Sequence, residues 1–442
     1  VAARGELVAA KEGCPMSTRA GIEAIAVAVP QRYLAIEDLA LARGVAPAKY
    51  TIGLGAREMA VADPSEDTVA LAATAAARLL RAHDVDRSQI GMLVVGTETG
   101  VDHSKPVASY VQGLLELPRT MRTFDTQHAC YGGTAALMAA CDWIASGSAD
   151  GRSALVVCSD IARYGVATAG EPTQGAGAVA MLVSARPEIL EIDPGISGVF
   201  SDHVHDFWRP LGRREAVVDG HYSIDCYLAA LAGAYRGWRE KATARELLRH
   251  DAAPRSEQLA RVVYHVPFCK MARKAHAHLR RCELEDASGG PLDAAAQARE
   301  DADGAASFET QVAPSLLLAS QIGNTYTGSL YLGIASLLHA QGPEGAKLAG
   351  KRIGLFSYGS GCSSEFFSGV VGAKAAERVA KAGLDALLAS RTRVDVAGYE
   401  RIMELSRDAA LVTEAPAGTF LFSGVRDDRR TYVGSIGSIP SV

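Results

Sequence analysis

A strand–turn–helix–strand plan is written twice along this chain. In the first half, Ile90–Glu98, Ser153–Asp160 and Ala176–Val183 are short, apolar and rich in β-branched residues, the composition of strands covered on both faces. Alanine-rich stretches with helical spacing lie among them, Asp67–His83 and the segment after Cys130. In the second half, Ala260–Phe268 reads as a strand ending at a histidine, Asn324–Ala340 as a turn feeding a helix, and Lys351–Gly361 as the returning strand. Placing Thr325 on Cys130 aligns Tyr326 with Tyr131, Gly328 with Gly133 and Ser329 with Thr134, and each helix is followed by a Gly-Arg or Gly-Lys loop into an apolar strand. Such self-similarity predicts an α/β fold of two similar fused halves, residues 16–188 and 189–442. The acidic, glycine-containing stretch Glu283–Ala306 has poor periodicity and is expected to be a solvated excursion.

With 442 residues, 48% of them hydrophobic, the chain can bury a large core. Its 45 basic and 50 acidic residues give a net charge of −5, which argues against nucleic acid or an anionic membrane as partner. Eight cysteines with no C-x-x-C pair fit free thiols in a reducing cytoplasm. Thr310–Pro343 carries no formal charge, but Pro314, Gly323, Asn324 and Gly328 interrupt it, and a membrane-spanning helix needs about 20 continuous apolar residues. A buried core or a subunit interface, hence a homodimer, is the expectation for that stretch. Residues 1–15 read as an N-terminal extension or an expression remnant, since Met16 opens a plausible natural start.

Cys130 lies between the strand-like Met121–Asp125 and a helix carrying Ala135, Met138, Ala139 and Trp143 at helical spacing. A lone cysteine is more often a packed thiol than a nucleophile. Here it falls at a helix N-terminus, which favours a thiolate, and Gly132 and Gly133 are expected to let a substrate approach the backbone. Cys141 lacks that setting and belongs to the core. Glu98 and His265 each end a predicted strand, where open α/β sheets bind ligands. Asn324 opens the second-half helix and serves equally as an N-cap. A thiolate, a carboxylate and an imidazole form a coherent set for acyl transfer from a thioester with proton movement at carbon. The order Cys, His, Asn also occurs in papain-like proteases, but those are secreted, disulfide-bearing chains. His203 with His205, and His276 with His278, lack partners at zinc-like spacing.

The segments "VGTETGVDHSKP", "ACYGGTAAL", "GEPTQGAGAVAM", "HDFWRP", "VDGHYSIDCYLAAL", "YHVPFCKM", "GNTYTGSLY" and "LFSYGSG" run in one order from about Gly21 to Arg391. Together they resemble the hydroxymethylglutaryl-CoA synthase family of the thiolase superfamily, with "HDFWRP" and "EPTQGAG" most like its bacterial mevalonate-type enzymes. The resemblance implies a five-layered αβαβα thiolase-like fold, normally a homodimer, that condenses acetyl-CoA with acetoacetyl-CoA through an acetyl-cysteine. It implies Cys130 as the acetylated nucleophile, Glu98 as general acid–base and His265 as the residue orienting the acetoacetyl group. Asn324 and Ser360 would surround the acyl groups, Tyr131, Asp160, Thr173 and Asp202 would support them, and Lys270 would contact coenzyme A. No metal or redox cofactor is implied. A polyketide branch of the same family takes its acyl groups from an acyl carrier protein, which makes carrier-bound substrates the alternative. A non-catalytic acyl-binding partner on the same fold is a second alternative, which has no need of the Glu, Cys and His together. The role of Cys362, just past "GSG", is not assigned.

Overall fold

The computed structural model describes residues 19–213, 215–249, 254–340, 347–405 and 412–437; the expectation for residues 1–15 lies outside them. Nine strands form the main sheet: β1 Gly21–Ala28, β2 Ile90–Gly96, β3 Arg122–Thr126, β4 Ser153–Ala162, β5 Gly175–Ser184, β6 Leu190–Ser201, β7 Arg261–Tyr264, β8 Arg352–Gly359 and β9 Ser363–Val371. Their order is β7-β8-β9-β6-β1-β5-β4-β2-β3. The seam between β6 and β1 rests on two residue pairs, Gly21 with Glu191 and Ile22 with Leu190, so the sheet is in effect two sheets sharing a corner. On one side β2 pairs parallel with β4, β4 antiparallel with β5 and β5 antiparallel with β1. On the other, β7, β8, β9 and β6 repeat those relations in the same order.

Helices fill the spaces that the apolar faces demand. α1 Thr68–Ala82 and α2 Val107–Leu114 cover the outer face of the first sheet. α3 Gly132–Ala145 and α7 Ser329–Ala340 lie between the sheets, and α4 Gly220–Ala244 and α5 Cys269–Ser288 cover the outer face of the second. The result is the five-layered thiolase-like arrangement. Alternation along β1 shows the logic: Ala24, Ala26 and Ala28 face α1, while Ile22, Ile25 and Val27 face the central helices. The small residues of α1, among them Ala72, Ala73, Ala76 and Ala77, allow that helix to sit close on the sheet. Cys141 is buried in the central layer, as expected.

One expectation is corrected in part, and one that left two alternatives open is narrowed. Glu283–Ala306 is largely exposed, as expected, but it is helical and not an irregular loop: it comprises the end of α5, a turn at Gly289 (φ 74°) and most of α6 Ala294–Gln311. Two of its acids, Glu283 and Glu300, are nonetheless buried and partnered. Glu283 accepts from Tyr235 Oη at 2.6 Å and from the Arg255 N–H at 2.9 Å, and Glu300 pairs with Arg280 at 2.5 Å. Acidity was read as solvation because the partners lie on other elements. The described part of the charge-free stretch is buried, but within one chain: Tyr331, Leu332, Ile334 and Leu337 are at most 1% exposed in the central helical layer. Its lack of charge therefore says nothing about a subunit face. Among the described residues no helix is long and apolar enough to cross a membrane.

A small three-stranded sheet, Thr392–Val394, Arg32–Ala35 and Glu58–Val61, has its own apolar cluster around Leu34, Leu39, Met59 and Tyr399. It braces the main body beside the strand ends. The Lys270 N–H donates to the Leu54 carbonyl at 3.0 Å, and Arg43 pairs with Glu171 through two hydrogen bonds of 2.7 and 2.8 Å.

Candidate active site

Strand β3 runs into α3 through a turn that holds Cys130. Ala129 takes the left-handed conformation (φ 41°), an unfavourable one for alanine, and Cys130 follows directly. Gly96 and Gly133 let this turn seat deeply. A Cβ at Gly96 would stand 2.6 Å from the Gly133 Cα, and one at Gly133 would stand 2.5 Å from the Thr327 carbonyl and 2.6 Å from Cys158 Sγ. Gly133 thus serves close packing of α3 on β2 and on the turn before α7, not the approach of substrate to the backbone.

Cys130 Sγ donates to Glu98 Oε1 at 3.2 Å. Protein surrounds both side chains, although each keeps part of its surface open. Burial pushes the Cys130 thiol well above its ordinary pKa, and the neighbouring Glu98 adds to that. The expectation of a resting thiolate is therefore corrected: a helix N-terminus contributes at most about 2 kcal/mol, and desolvation with an acidic neighbour outweighs it. Burial, with the Asp160 carboxylate second, pushes Glu98 up to about 8, while Arg209 and the Cys130 thiol offset part of the rise.

Asp160, at the end of β4, ties the two halves together behind this pair. Its carboxylate accepts from Thr97 Oγ1 at 3.0 Å, Thr99 Oγ1 at 2.8 Å, the Glu98 N–H at 2.9 Å, the Thr327 N–H at 3.1 Å and the Thr327 hydroxyl. A fully buried carboxylate costs several kcal/mol unless its lone pairs are so satisfied.

A cavity of about 270 Å³ opens on Cys130. His265, Asn324, Ser360 and Thr173 share its wall, so residues separated by up to 230 positions meet there. His265 follows β7, with its N–H on the Phe356 carbonyl at 2.8 Å and its carbonyl accepting from Tyr227 Oη at 2.8 Å. Burial lowers its pKa to about 3, so the imidazole is neutral near pH 7 and offers one N–H donor. Asn324 does not cap α7. Its Oδ1 accepts the Tyr326 N–H at 2.8 Å in a tight turn, and α7 begins only at Ser329. Ser360 sits on the turn between β8 and β9, which Asp206 holds by accepting the Gly361 N–H at 2.9 Å and Tyr358 Oη at 2.6 Å.

Five predicted residues do not line this cavity, Glu98 among them, which meets it through its contact with Cys130 Sγ. Tyr131 donates to Glu365 Oε2 at 2.8 Å, Asp160 lies behind the pair, Asp202 is exposed and accepts the His203 N–H at 2.7 Å, and Lys270 is exposed on the first turn of α5. Cys362 is buried, its backbone N–H on the Asp202 carbonyl at 2.8 Å. Sequence reading missed Asp206 and Arg209, although both stand in the quoted "HDFWRP"; the Arg209 guanidinium donates to the Glu98 carbonyl. It also missed Tyr164, Tyr227 and Tyr326 in the cavity wall.

Comparison with known proteins places this geometry. The family model described as hydroxymethylglutaryl-coenzyme A synthase N terminal matches residues 16–188, and its C-terminal counterpart matches 190–298 and 293–419. The hydroxymethylglutaryl-CoA synthase of Enterococcus faecalis is 36% identical over 392 residues, 88% of this chain and 92% of that one. A structure of MvaS in complex with 3-hydroxy-3-methylglutaryl coenzyme A is 66% identical with a TM-score of 0.90, covering 94% of this chain and 99% of that one. The Curacin biosynthetic pathway HMG synthase in complex with acetyl donor-ACP is 31% identical with a TM-score of 0.81, over 94% and 99% of the two chains.

Proposed function

The chain belongs to the hydroxymethylglutaryl-CoA synthase family, and from that premise we propose how its own side chains carry the reaction. It is a condensing acyltransferase that joins acetyl-CoA to acetoacetyl-CoA and forms hydroxymethylglutaryl-CoA. The observation that supports the assignment of roles is the 3.2 Å contact between Cys130 Sγ and Glu98 Oε1 at a cavity whose wall includes a neutral His265.

Cys130 Sγ attacks the acetyl carbonyl carbon, and the coenzyme A thiolate leaves with the proton that the cysteine gives up. Glu98, as carboxylate, then removes a proton from the acetyl methyl group. The resulting enolate adds to the ketone of acetoacetyl-CoA, and the His265 N–H donates to the oxygen that becomes negative. Glu98, now protonated, returns its proton to that oxygen, and water cleaves the enzyme thioester. Asn324, Ser360 and Thr173 hold the acyl groups in the cavity, and Tyr131, Asp160 and Asp202 support the turns around it. Lys270, exposed at the start of α5, offers a cation to the coenzyme phosphates. The proposed division into halves at 188/189 is supported by the repeated strand pairing.

Free coenzyme A thioesters are the substrates in this reading. The 66% identity to MvaS in complex with 3-hydroxy-3-methylglutaryl coenzyme A, against 31% to the Curacin enzyme in complex with acetyl donor-ACP, supports it. Steady-state condensation is expected to be at least about tenfold more efficient with acetyl and acetoacetyl groups on coenzyme A than on carrier protein, a difference of about 1.4 kcal/mol in transition-state binding. Equal or reversed efficiencies would replace this reading by the carrier-protein one.

The protein is further proposed to be a homodimer working in a reducing cytoplasm. The seven described cysteines are all free, in keeping with that compartment. Strand β3 ends the sheet and pairs only with β2 among the described residues, leaving an open edge that a second copy would cover. Light scattering should give twice the 46.3 kDa chain mass at micromolar concentration. A stable monomer there removes the dimer from the reading.

A further inference from the structure

Glu98 is gripped from a part of the chain that lies outside the repeated halves' sheets. Phe207–Trp208 pairs with Val217–Val218 in a short ribbon, and Phe207 and Val218 line the cavity. Asp206 anchors the base of the ribbon to the β8–β9 turn through the Gly361 N–H and Tyr358 Oη. Arg209 leaves the ribbon toward Glu98. One arm of its guanidinium, Nη2, donates to the Glu98 main-chain carbonyl, while Nη1 is buried and has no hydrogen-bond partner among the described residues. The guanidinium thus has one anchor, the Glu98 turn.

The groups that face Glu98 come from four other elements: Asp160 at the end of β4, Cys130 before α3, Tyr164 after β4 and Tyr326 before α7. Both tyrosines are held above the ordinary phenol range by burial and stay neutral. Asp160 opposes a second negative charge, and so does burial. Among these groups Arg209 is the cation.

We propose that Arg209 is a positioning residue for the condensation step, fixing the Glu98 turn by its carbonyl and holding a permanent positive charge beside the carboxylate while the cavity-lining ribbon is seated. This rests on the reading of Glu98 as the acid–base group. Ribbon and base are then one unit: displacement of Phe207 and Val218 removes both the anchor and the charge.

The test is the pH profile of condensation starting from acetylated enzyme. A base works only when deprotonated, so the rate climbs with pH through the Glu98 pKa. Arg209→Gln removes an influence that lowers that pKa, so the climb should move to higher pH by about one unit. Arg209→Met, which keeps the apolar stem, should do the same if the Gln variant folds poorly. Arg209→Lys keeps charge but loses the guanidinium fork, so its climb should stay within about 0.3 unit of wild type while kcat falls about tenfold. A purely structural anchor would lower kcat in all three without moving the climb. An unmoved climb in the Gln and Met variants, or an equal shift in the Lys variant, overturns the proposal. Glu98→Gln separates the two readings: its residual rate should show no climb. A climb that persists there removes Glu98 as base and this proposal with it, whereas a flat Glu98→Gln profile beside an unmoved Arg209→Gln profile removes Arg209 alone.

Discussion

Cys130→Ser should carry no acetyl group after mixing with acetyl-CoA, and its condensation rate should fall by at least about 10⁴-fold. The thiol at 130 is already held well above its ordinary pKa by burial and by Glu98, so the proposed nucleophile is one that ionises reluctantly. Sulfur tolerates this because a small thiolate fraction is still intrinsically reactive toward thioesters. A serine hydroxyl in the same enclosed position starts far higher on the pKa scale and meets the same two opposing influences. Intact-protein mass spectrometry is the measurement. None of the other six described cysteines lines the cavity, so among the described residues no second thiol is placed there to take the acetyl group. An adduct that survives Cys130→Ser would show that the nucleophile lies elsewhere.

Cys130, Glu98 and His265 are legible in sequence for one physical reason. Each stands at a strand end or helix start, and these are the places where a doubly wound sheet leaves backbone and side chains uncovered. The repeated plan was legible for a related reason, since β-branched runs and alanine-rich helices report burial on two faces and close packing. Arg209 and Asp206 were not legible as site residues. Their ribbon has two-residue strands, too short for any periodicity, and their partners lie about 110 to 155 positions away. The small three-stranded sheet was equally hidden, because Arg32–Ala35 pairs with Thr392–Val394 and no local pattern announces such a distance.

Charge was an incomplete guide to burial in two places. Glu283 and Glu300 looked solvated, yet each is buried against partners on neighbouring elements, where a paired carboxylate is tolerated and an unpaired one is not. The charge-free stretch around α7 fitted a buried core or a subunit face, and the core alternative is the one the structure shows, because a layer between two sheets excludes charge from every side of a helix. Gly133 misled for a similar reason. A missing side chain signals close approach without saying of what, and here the approaching groups are Thr327 and Cys158.

Glu98→Ala should separate the two chemical steps. Acetyl-enzyme formation should remain within about tenfold of wild type, while condensation should fall by about 10⁴-fold or more, the upper end of what a general base contributes. The geometry gives both halves of this expectation. Glu98 is itself a cause of the high Cys130 pKa, through its charge and through the hydrogen bond it accepts, so its removal makes the thiolate easier to form. The thiol proton departs with coenzyme A and needs no carboxylate. Proton removal from the acetyl methyl group does need one, and the other carboxylate set beside Glu98 among the described residues, Asp160, has its oxygens engaged by Thr97, Thr99, Thr327 and the Glu98 N–H. His265→Ala should give a third pattern. Its neutral imidazole is assigned to the acceptor ketone, so acetylation should persist and the KM for acetoacetyl-CoA should rise about tenfold or more with a smaller fall in kcat. Acetyl-enzyme and product formation measured on each variant decide the matter. Equal loss of both steps in Glu98→Ala would mean that the carboxylate activates the thiol or supports the fold, and the division of labour between Cys130 and Glu98 would have to be redrawn.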